Sequence, residues 1–137
     1  MDPEPVVHVR ARVIDLRRVR SGETVSYDAT YRAVGDRRIA TLGIGYADGY
    51  PRSLSNRGCA ILGDRRVGIA GLITMDMTMV DVTGAPCALG DVATVIGDDP
   101  APNVAALARA AEMSPYELLT GLRSRLSRVY RSEGLRA

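Results

Sequence analysis

Residues 7–13 read Val-His-Val-Arg-Ala-Arg-Val, and this short stretch decides the fold class. Apolar and polar residues alternate along it, which is the pattern of a strand with one buried face. A two-residue hairpin is predicted at Gly63-Asp64, between two further apolar segments. The remaining short apolar segments, which turn residues separate, predict strands over 39–46, 60–62, 65–70, 79–82 and 92–96.

Helical signals are confined to the last third of the chain. Asn103 precedes an alanine-rich stretch over 104–111 and is a residue type that caps helices. Residues 114–117, Ser-Pro-Tyr-Glu, form a capping box with proline at the first helical position, which predicts a second short helix to about Leu122. The fold class predicted is mainly β, an antiparallel sheet or small barrel-like domain with two short helices near the C-terminus.

Length and composition are those of one folded domain. The 137 residues suffice to bury a core, and we expect residues 1–5 to be a linker or boundary segment and residues 6–137 to form a single β domain. The sequence has neither a signal-peptide pattern nor a long apolar run. Cys59 and Cys87 lack metal-ligand spacing, so we predict reduced thiols, a cytoplasmic location and no membrane partner.

Several kinds of site are excluded by residue counts. Because His8 is the only histidine, this chain alone cannot build a Ser-His-Asp triad or a multi-histidine zinc site, and we predict no metal. His8 lies on the polar face of its predicted strand and is interpreted as a surface residue. The net charge is only +2, and acidic and basic residues are mixed along most of the chain. We therefore predict no nucleic-acid partner. A small arginine-rich β-barrel that binds nucleic acid remains an alternative.

Three short motifs carry the chemistry that the sequence suggests. Taken alone, each is typical of packing, since tyrosines often end strands and the alternate methionines 75, 77 and 79 predict the core stripe of a strand. Together, their order and spacing closely resemble the C-terminal domain of bacterial alanine racemases. The motifs are Val-Ser-Tyr-Asp-Ala-Thr-Tyr at 25–31, Ile-Gly-Tyr-Ala-Asp-Gly-Tyr-Pro-Arg at 44–52 and Gly-Leu-Ile-Thr-Met-Asp at 71–76.

The resemblance implies a two-domain enzyme that interconverts L- and D-alanine with pyridoxal phosphate. In that family an N-terminal (β/α)8 barrel holds the cofactor through a Schiff-base lysine, and the C-terminal domain closes the active site of a partner subunit in a homodimer. Tyr27 resembles the catalytic tyrosine, which acts with the lysine from opposite faces of the substrate α-carbon. A tyrosine pKa near 10 means that this role requires an enclosed site with a nearby cation or a strong hydrogen bond.

Four further residues receive roles from the same resemblance. Tyr46 resembles a tyrosine of the substrate entryway, and Met75 resembles the residue whose backbone N–H meets the substrate carboxylate. Asp76 is its polar neighbour, and Ser124 stands where the family commonly has a tyrosine on the cofactor phosphate. Asp28 also departs from the family, which usually has glycine beside the catalytic tyrosine. These departures leave open a related racemase with broader amino-acid substrates.

Lysine does not occur in the sequence, and the 18 residues counted as lysine or arginine are all arginine. Arginine stays charged at all relevant pH values and cannot take the place of the cofactor lysine. A (β/α)8 barrel takes about 250 residues, so the barrel cannot be contained in this chain. We therefore expect the isolated domain to be inactive and unable to bind pyridoxal phosphate covalently. A domain that serves mainly in dimerisation is the remaining alternative.

Overall fold

A computed structural model describes residues 8–25, 31–97 and 103–122 of the chain. The elements in chain order are β1 (Val9–Val19), β2 (Thr24–Val25), β3 (Tyr31–Arg32), β4 (Arg37–Leu42), β5 (Cys59–Leu62), β6 (Arg65–Gly68), β7 (Thr78–Asp81), β8 (Val92–Ile96), α1 (Val104–Ala110) and α2 (Pro115–Thr120). Two 3₁₀ turns, Tyr46–Asp48 and Arg52–Leu54, lie between β4 and β5. None of the helices in the described ranges is long and apolar enough to cross a membrane.

Six strands form one antiparallel sheet in the order β6-β5-β8-β1-β4-β7. Its two edges meet through a bridge between Ile69 and Val80 and a hydrogen bond of 2.8 Å from the Ala70 N–H to the Met79 carbonyl. The sheet is therefore nearly closed into a barrel, which confirms the predicted mainly β, barrel-like fold. The remaining strands, β2 and β3, pair with each other as a separate β2–β3 ribbon.

The predicted alternation of buried and exposed residues is confirmed in β1. Val9, Ala11 and Val13 are buried, whereas Arg10 and Arg12 are exposed. The three buried side chains of β1 belong to a first core, which fills the barrel. This core also contains Leu42, Ile44, Ile73 and Val95. A smaller second core consists of Val19, Val25, Ala33, Ile39 and Ala70, with Tyr31 and Met79 packed against it.

The predicted strand 39–46 is wrong at both ends. β4 starts two residues earlier and ends at Leu42, and Tyr46 lies in a 3₁₀ turn and not at a strand end. The chain leaves the sheet because the Gly45 N–H donates to the Asp48 carboxylate at 3.0 Å. The Tyr46 N–H donates instead to the Thr74 carbonyl, also at 3.0 Å. These two N–H groups therefore make hydrogen bonds outside the sheet, and the chain turns at Tyr46.

Both predicted helices are confirmed, and each starts at the predicted cap. The Asn103 side chain accepts a hydrogen bond from the Ala106 N–H at 2.8 Å. Ser114 and Glu117 form the reciprocal bonds of the capping box at 3.1 and 3.2 Å. The second helix ends at Thr120, two residues before the predicted end. Core contacts of Leu107 and Leu118 hold the pair of helices against the barrel.

Candidate active-site groove

The loop at 71–77 carries the third motif and is held by hydrogen bonds from two sides. Asn56 accepts from the Gly71 N–H at 2.6 Å and Ser55 accepts from the Ile73 N–H at 2.8 Å. Within the loop, the Thr74 N–H donates to the Met77 carbonyl at 2.9 Å. The Met77 N–H donates in turn to the Thr74 hydroxyl at 3.2 Å. Residues 75 and 76 are therefore the two central residues of a tight, well-anchored turn.

The second motif packs directly against this turn. Its Tyr46 and Ala47 N–H groups donate to the carbonyls of Thr74 and Met75, each at 3.0 Å. The approach requires glycine at position 45, because a Cβ there would lie 2.5 Å from the Met75 carbonyl carbon and closer still to the Thr74 oxygen. Tyr46 and Met75 are 29 residues apart in the sequence, and the fold brings their two motifs into backbone contact.

Between the two motifs lies an open groove of about 490 Å³. Three large apolar side chains at this groove are unusually exposed: Tyr46 at 42%, Met75 at 51% and Met77 at 39%. The groove is lined by Tyr46, Arg52, Leu72, Ile73, Thr74, Met75, Asp76 and Met77. The residues assigned by resemblance to the substrate, namely Tyr46, Met75 and Asp76, are thus brought together in one place.

Only one of the two backbone hydrogen-bonding groups of Met75, its carbonyl, is paired within the described residues. Its carbonyl accepts from Ala47, while its N–H makes no hydrogen bond within the part of the chain that the structure describes. A backbone donor at a groove can bind an anionic group such as a carboxylate. The alternative interpretation of residues 75, 77 and 79 as a core stripe is wrong, because only Met79 lies in a strand and packs on a core.

The residues that follow α2 also pack close to the 3₁₀ turn at Tyr46. Gly49 closes the 3₁₀ turn that begins at Tyr46, and its φ of +95° lies in the left-handed region that favours glycine. A Cβ at Gly49 would lie 2.7 Å from the Gly121 carbonyl carbon and from the Leu122 Cα. Gly121 and Leu122, which follow α2, therefore lie beside the Tyr46 turn. Ser124 itself lies outside the described residues.

Tyr27 and Asp28 also lie outside the described residues, but the positions that flank residues 26–30 are defined. Val25 and Tyr31 are partners in the β2–β3 ribbon, and both pack on the second core. That core also holds Ala70 and Met79, which border the loop at 71–77 on either side. Val25 and Tyr31, the residues that flank 26–30, therefore pack on the same small core as Ala70 and Met79.

Sequence reasoning did not assign roles to two residues that shape the groove. Asp48 is 6% exposed and caps the Tyr46 turn, and its spacing of three residues from Gly45 is the signal that could have found it. Arg52 is exposed and lines the groove, and its side chain makes no ion pair or hydrogen bond with the described residues. It therefore places an unpaired cation beside Tyr46.

Asp81 is the centre of a polar cluster that also contains Tyr31, Arg37 and Thr83. Its carboxylate accepts from the Tyr31 hydroxyl at 2.9 Å and from the N–H and hydroxyl of Thr83 at 3.0 and 2.6 Å. Burial acts to raise the pKa of Asp81, but these hydrogen bonds and Arg37 at 3.6 Å outweigh it and lower the pKa. Burial, followed by the bond to Asp81, raises the pKa of Tyr31.

A second groove, of about 530 Å³, shares no lining residue with the first and is strongly basic. Two of its arginines are engaged, because Arg37 faces Asp81 and Arg38 donates to the Cys87 carbonyl at 2.6 Å. Its lining consists of Leu16, Arg17, Arg18, Asp36, Arg37, Arg38, Thr83 and Gly84. Among the described residues, no group of three or more His, Cys, Asp or Glu side chains gathers in a way that could hold a metal ion.

The fold and the groove define a small barrel-like β domain whose recognition groove is built from two turns in backbone contact. A family model described as "Alanine racemase, C-terminal domain" matches residues 6–130. The chain belongs to this family. Alanine racemases of Brucella abortus and Deinococcus radiodurans are 46% and 45% identical to it, over 92% and 90% of the chain. The chain spans 32% and 35% of their lengths, about a third in each case.

Solved structures give the same result at the level of the fold. The biosynthetic alanine racemase of Pseudomonas aeruginosa superposes with a TM-score of 0.87 at 38% identity, over 93% of this chain and 36% of that one. The alanine racemase of Bartonella henselae, solved with covalently bound pyridoxal phosphate, gives 0.85 at 33% identity, over 90% and 34%.

Proposed function

We propose that this chain is the C-terminal part of an alanine racemase, which interconverts L- and D-alanine with pyridoxal phosphate in the cytoplasm. The observation that carries the proposal is the groove at Tyr46 and Met75 in a chain that belongs to this family. Its backbone donor, its unpaired arginine and its apolar rim suit a small amino acid, which presents a carboxylate and a short side chain.

Each residue of the groove has a distinct task in this proposal. The Met75 N–H donates to the substrate carboxylate and fixes its orientation, while the side chain packs at the rim. Tyr46 and Arg52 line the entrance, where the guanidinium attracts the anionic end of the substrate. Asp76 is the polar neighbour of Met75 in the same turn. Ser124 is assigned to the cofactor phosphate.

Proton transfer is assigned to the Tyr27 hydroxyl. It gives or takes the α-proton on one face of the substrate, and a lysine outside this chain acts on the other face, so that the centre inverts. Pyridoxal phosphate, when bound, delocalises the negative charge that develops at the α-carbon. Since the chain has no lysine to form the Schiff base with the cofactor, we propose that the isolated domain is inactive.

The partner is a second subunit, in a homodimer in which each C-terminal domain completes the other subunit's site. The exposed side chains of Tyr46, Met75 and Met77 support this arrangement, because a contiguous apolar rim is commonly covered in the assembled protein. Contact with the partner subunit's N-terminal domain would enclose the groove and exclude water, which strengthens every electrostatic interaction inside it.

The test joins this chain to the remaining part of the Pseudomonas aeruginosa relative and measures racemisation by circular dichroism. Met75→Pro removes the backbone donor, so KM for alanine should rise by about tenfold or more. Met75→Ala keeps the N–H and is the matched control, with KM close to that of the unsubstituted protein. Equal KM values for the proline and alanine variants, with both proteins folded, would contradict the role of this N–H.

The basic groove is the specific observation that favours the nucleic-acid alternative. Binding through arginine–phosphate contacts would weaken linearly with the logarithm of the salt concentration. A titration of the 137-residue chain with single-stranded RNA at two salt concentrations separates the two functions. We expect no salt-dependent binding, and a slope that disappears in the double variant Arg17→Ala/Arg18→Ala would favour the alternative.

A further inference from the structure

Two buried polar side chains hold the peptide group at the start of the second motif. Asp48 is 6% exposed, and its carboxylate accepts from the Gly45 N–H at 3.0 Å. Thr78 is 1% exposed, and its hydroxyl donates to the Ile44 carbonyl at 2.7 Å. That carbonyl and that N–H belong to the same peptide group. The peptide group is therefore bound at both of its polar ends by side chains that are shielded from water.

The position of this peptide group explains why such a restraint is useful. Glycine is required at position 45 because the loop at 71–77 approaches its backbone closely, and glycine is the residue type with the widest backbone freedom. Gly45 is also buried, so its N–H needs a partner within the protein. Asp48 and Thr78 therefore supply a restraint that the glycine cannot supply itself.

The bound peptide group leads directly into the 3₁₀ turn. The Asp48 N–H donates to the Gly45 carbonyl at 3.0 Å, so the backbone and the side chain of Asp48 both bind the same glycine. This reciprocal pair of bonds encloses Tyr46 and Ala47 and fixes their positions. Their N–H groups are the two that donate to carbonyls of the loop at 71–77. The restraint is thus passed on to that loop through two backbone hydrogen bonds.

The bond from Tyr46 also fixes the direction of the Met75 N–H. The Thr74 carbonyl, which accepts this bond, and the Met75 N–H belong to one trans, planar peptide group. In such a group the C=O and N–H bonds point in opposite directions, so a donor that holds the carbonyl orients the N–H as well. Ala47 holds the carbonyl of the next peptide group in the same way. The Met75 N–H is therefore held in position before any ligand binds.

We propose that Asp48 and Thr78 are positioning residues that orient the Met75 N–H for the substrate carboxylate, through the bound peptide group and the 3₁₀ turn. This inference rests on the proposed function for the role of that N–H. Neither side chain needs to touch the substrate, because each acts through backbone hydrogen bonds. A donor that is already ordered binds a carboxylate without a further cost in entropy. A looser turn therefore weakens substrate binding more than it slows the chemical step.

The test compares Asp48→Ala with Asp91→Ala in the chain joined to the remaining part of the Pseudomonas aeruginosa relative. Asp91 is exposed and makes the same pair of bonds in another turn: its carboxylate accepts from the Ala88 N–H at 2.9 Å, and its N–H donates to the Ala88 carbonyl at 3.1 Å. Neither residue lines the groove. KM for alanine should rise about tenfold in Asp48→Ala, with kcat within about threefold, and Asp91→Ala should change neither.

The double variant Asp48→Ala/Met75→Pro tests whether Asp48 acts through the Met75 N–H. Met75→Pro already removes this donor, so the second substitution should raise KM by no more than about twofold beyond the effect of the first. A further rise of about tenfold would show an independent effect and would overturn the inference. An unchanged KM in a folded Asp48→Ala variant would overturn it as well.

Hydrogen–deuterium exchange of the 137-residue chain measures the turn itself. The amides of Tyr46 and Ala47 should exchange about tenfold faster in Asp48→Ala, with the amides of β1 unchanged. Thr78→Val keeps the shape of the side chain and serves as the second variant, with KM and these two exchange rates expected to rise in the same direction. Unchanged values in Thr78→Val would contradict the inference. If Met75→Pro leaves KM unchanged, the proposed function of the N–H fails instead, and the exchange rates still decide whether Asp48 holds the turn.

Discussion

At the scale of single residues, the groove depends on a glycine whose missing side chain lets two motifs touch. Gly45→Ala would push the Thr74–Met75 backbone away, and overpacking of this kind costs about 2 kcal/mol of the free energy of unfolding. Gly68→Ala is the control, because a Cβ there meets nothing within 4 Å. Urea titrations followed by circular dichroism measure both variants, and equal losses in the two would contradict the close approach.

At Tyr50 a substitution is expected to raise the free energy of unfolding. Its side chain is 1% exposed, and its hydroxyl has no hydrogen-bond partner in the described chain. Burial raises the pKa of Tyr50, which keeps the hydroxyl neutral. Since a buried, unpaired hydroxyl is costly, Tyr50→Phe should raise the free energy of unfolding by about 1 kcal/mol. Thermal unfolding checks this against Tyr116→Phe, and a loss of stability at Tyr50 would show that the hydroxyl has a partner.

The residues that sequence reasoning placed correctly are those with local signals. Asn103 and Ser114 cap helices through residues three positions away, and such spacing is visible in the sequence. The 3₁₀ turn at Tyr46 was missed although its cap, the bond from the Gly45 N–H to Asp48, is local. Its bonds to the carbonyls of Thr74 and Met75, which lie 28 residues further along from Tyr46 and Ala47 respectively, leave no local signal. The exposure of Met75 was missed for the same reason, since alternation does not distinguish a strand from an anchored loop.

At the scale of elements, the cluster around Asp81 joins the β2–β3 ribbon, β4 and β7, and it makes their association depend on pH. The folded protein holds the pKa of Asp81 below its unfolded value, so the carboxylate adds stability above the unfolded pKa. That contribution is lost as the pH falls through the folded value. The difference in free energy of unfolding between the unsubstituted chain and Asp81→Asn should therefore shrink from pH 7 toward acid.

Urea titrations across that pH range measure the difference directly. Asp64→Asn is the control, because Asp64 lies in an exposed hairpin turn between β5 and β6. Its effect on the free energy of unfolding should be small at every pH. A difference for Asp81→Asn that stays constant down to about pH 2 would show that this carboxylate is not held by the cluster.

At the scale of the whole molecule, closure of the sheet arranges the functional segments. The bridge between Ile69 and Val80 brings the edge strands together, and the loop at 71–77 spans the connection between them. Alternation in β1 and short apolar segments between turn residues predicted most of the strands, because burial of apolar side chains leaves these patterns in the sequence. They could not predict which edges meet, since that depends on contacts between distant segments. The approach of α2 to Gly49 is likewise non-local.

The central claim is that the Tyr27 hydroxyl serves one face of the substrate and that a lysine outside this chain serves the other. The direct measurement is deuterium incorporation at the α-carbon of each alanine enantiomer in D₂O, with this chain joined to the remaining part of the Pseudomonas aeruginosa relative. The unsubstituted protein should exchange both enantiomers. Tyr27→Phe should abolish racemisation and the exchange of one enantiomer, while the other still exchanges. Racemisation at an unchanged rate in Tyr27→Phe would contradict the claim.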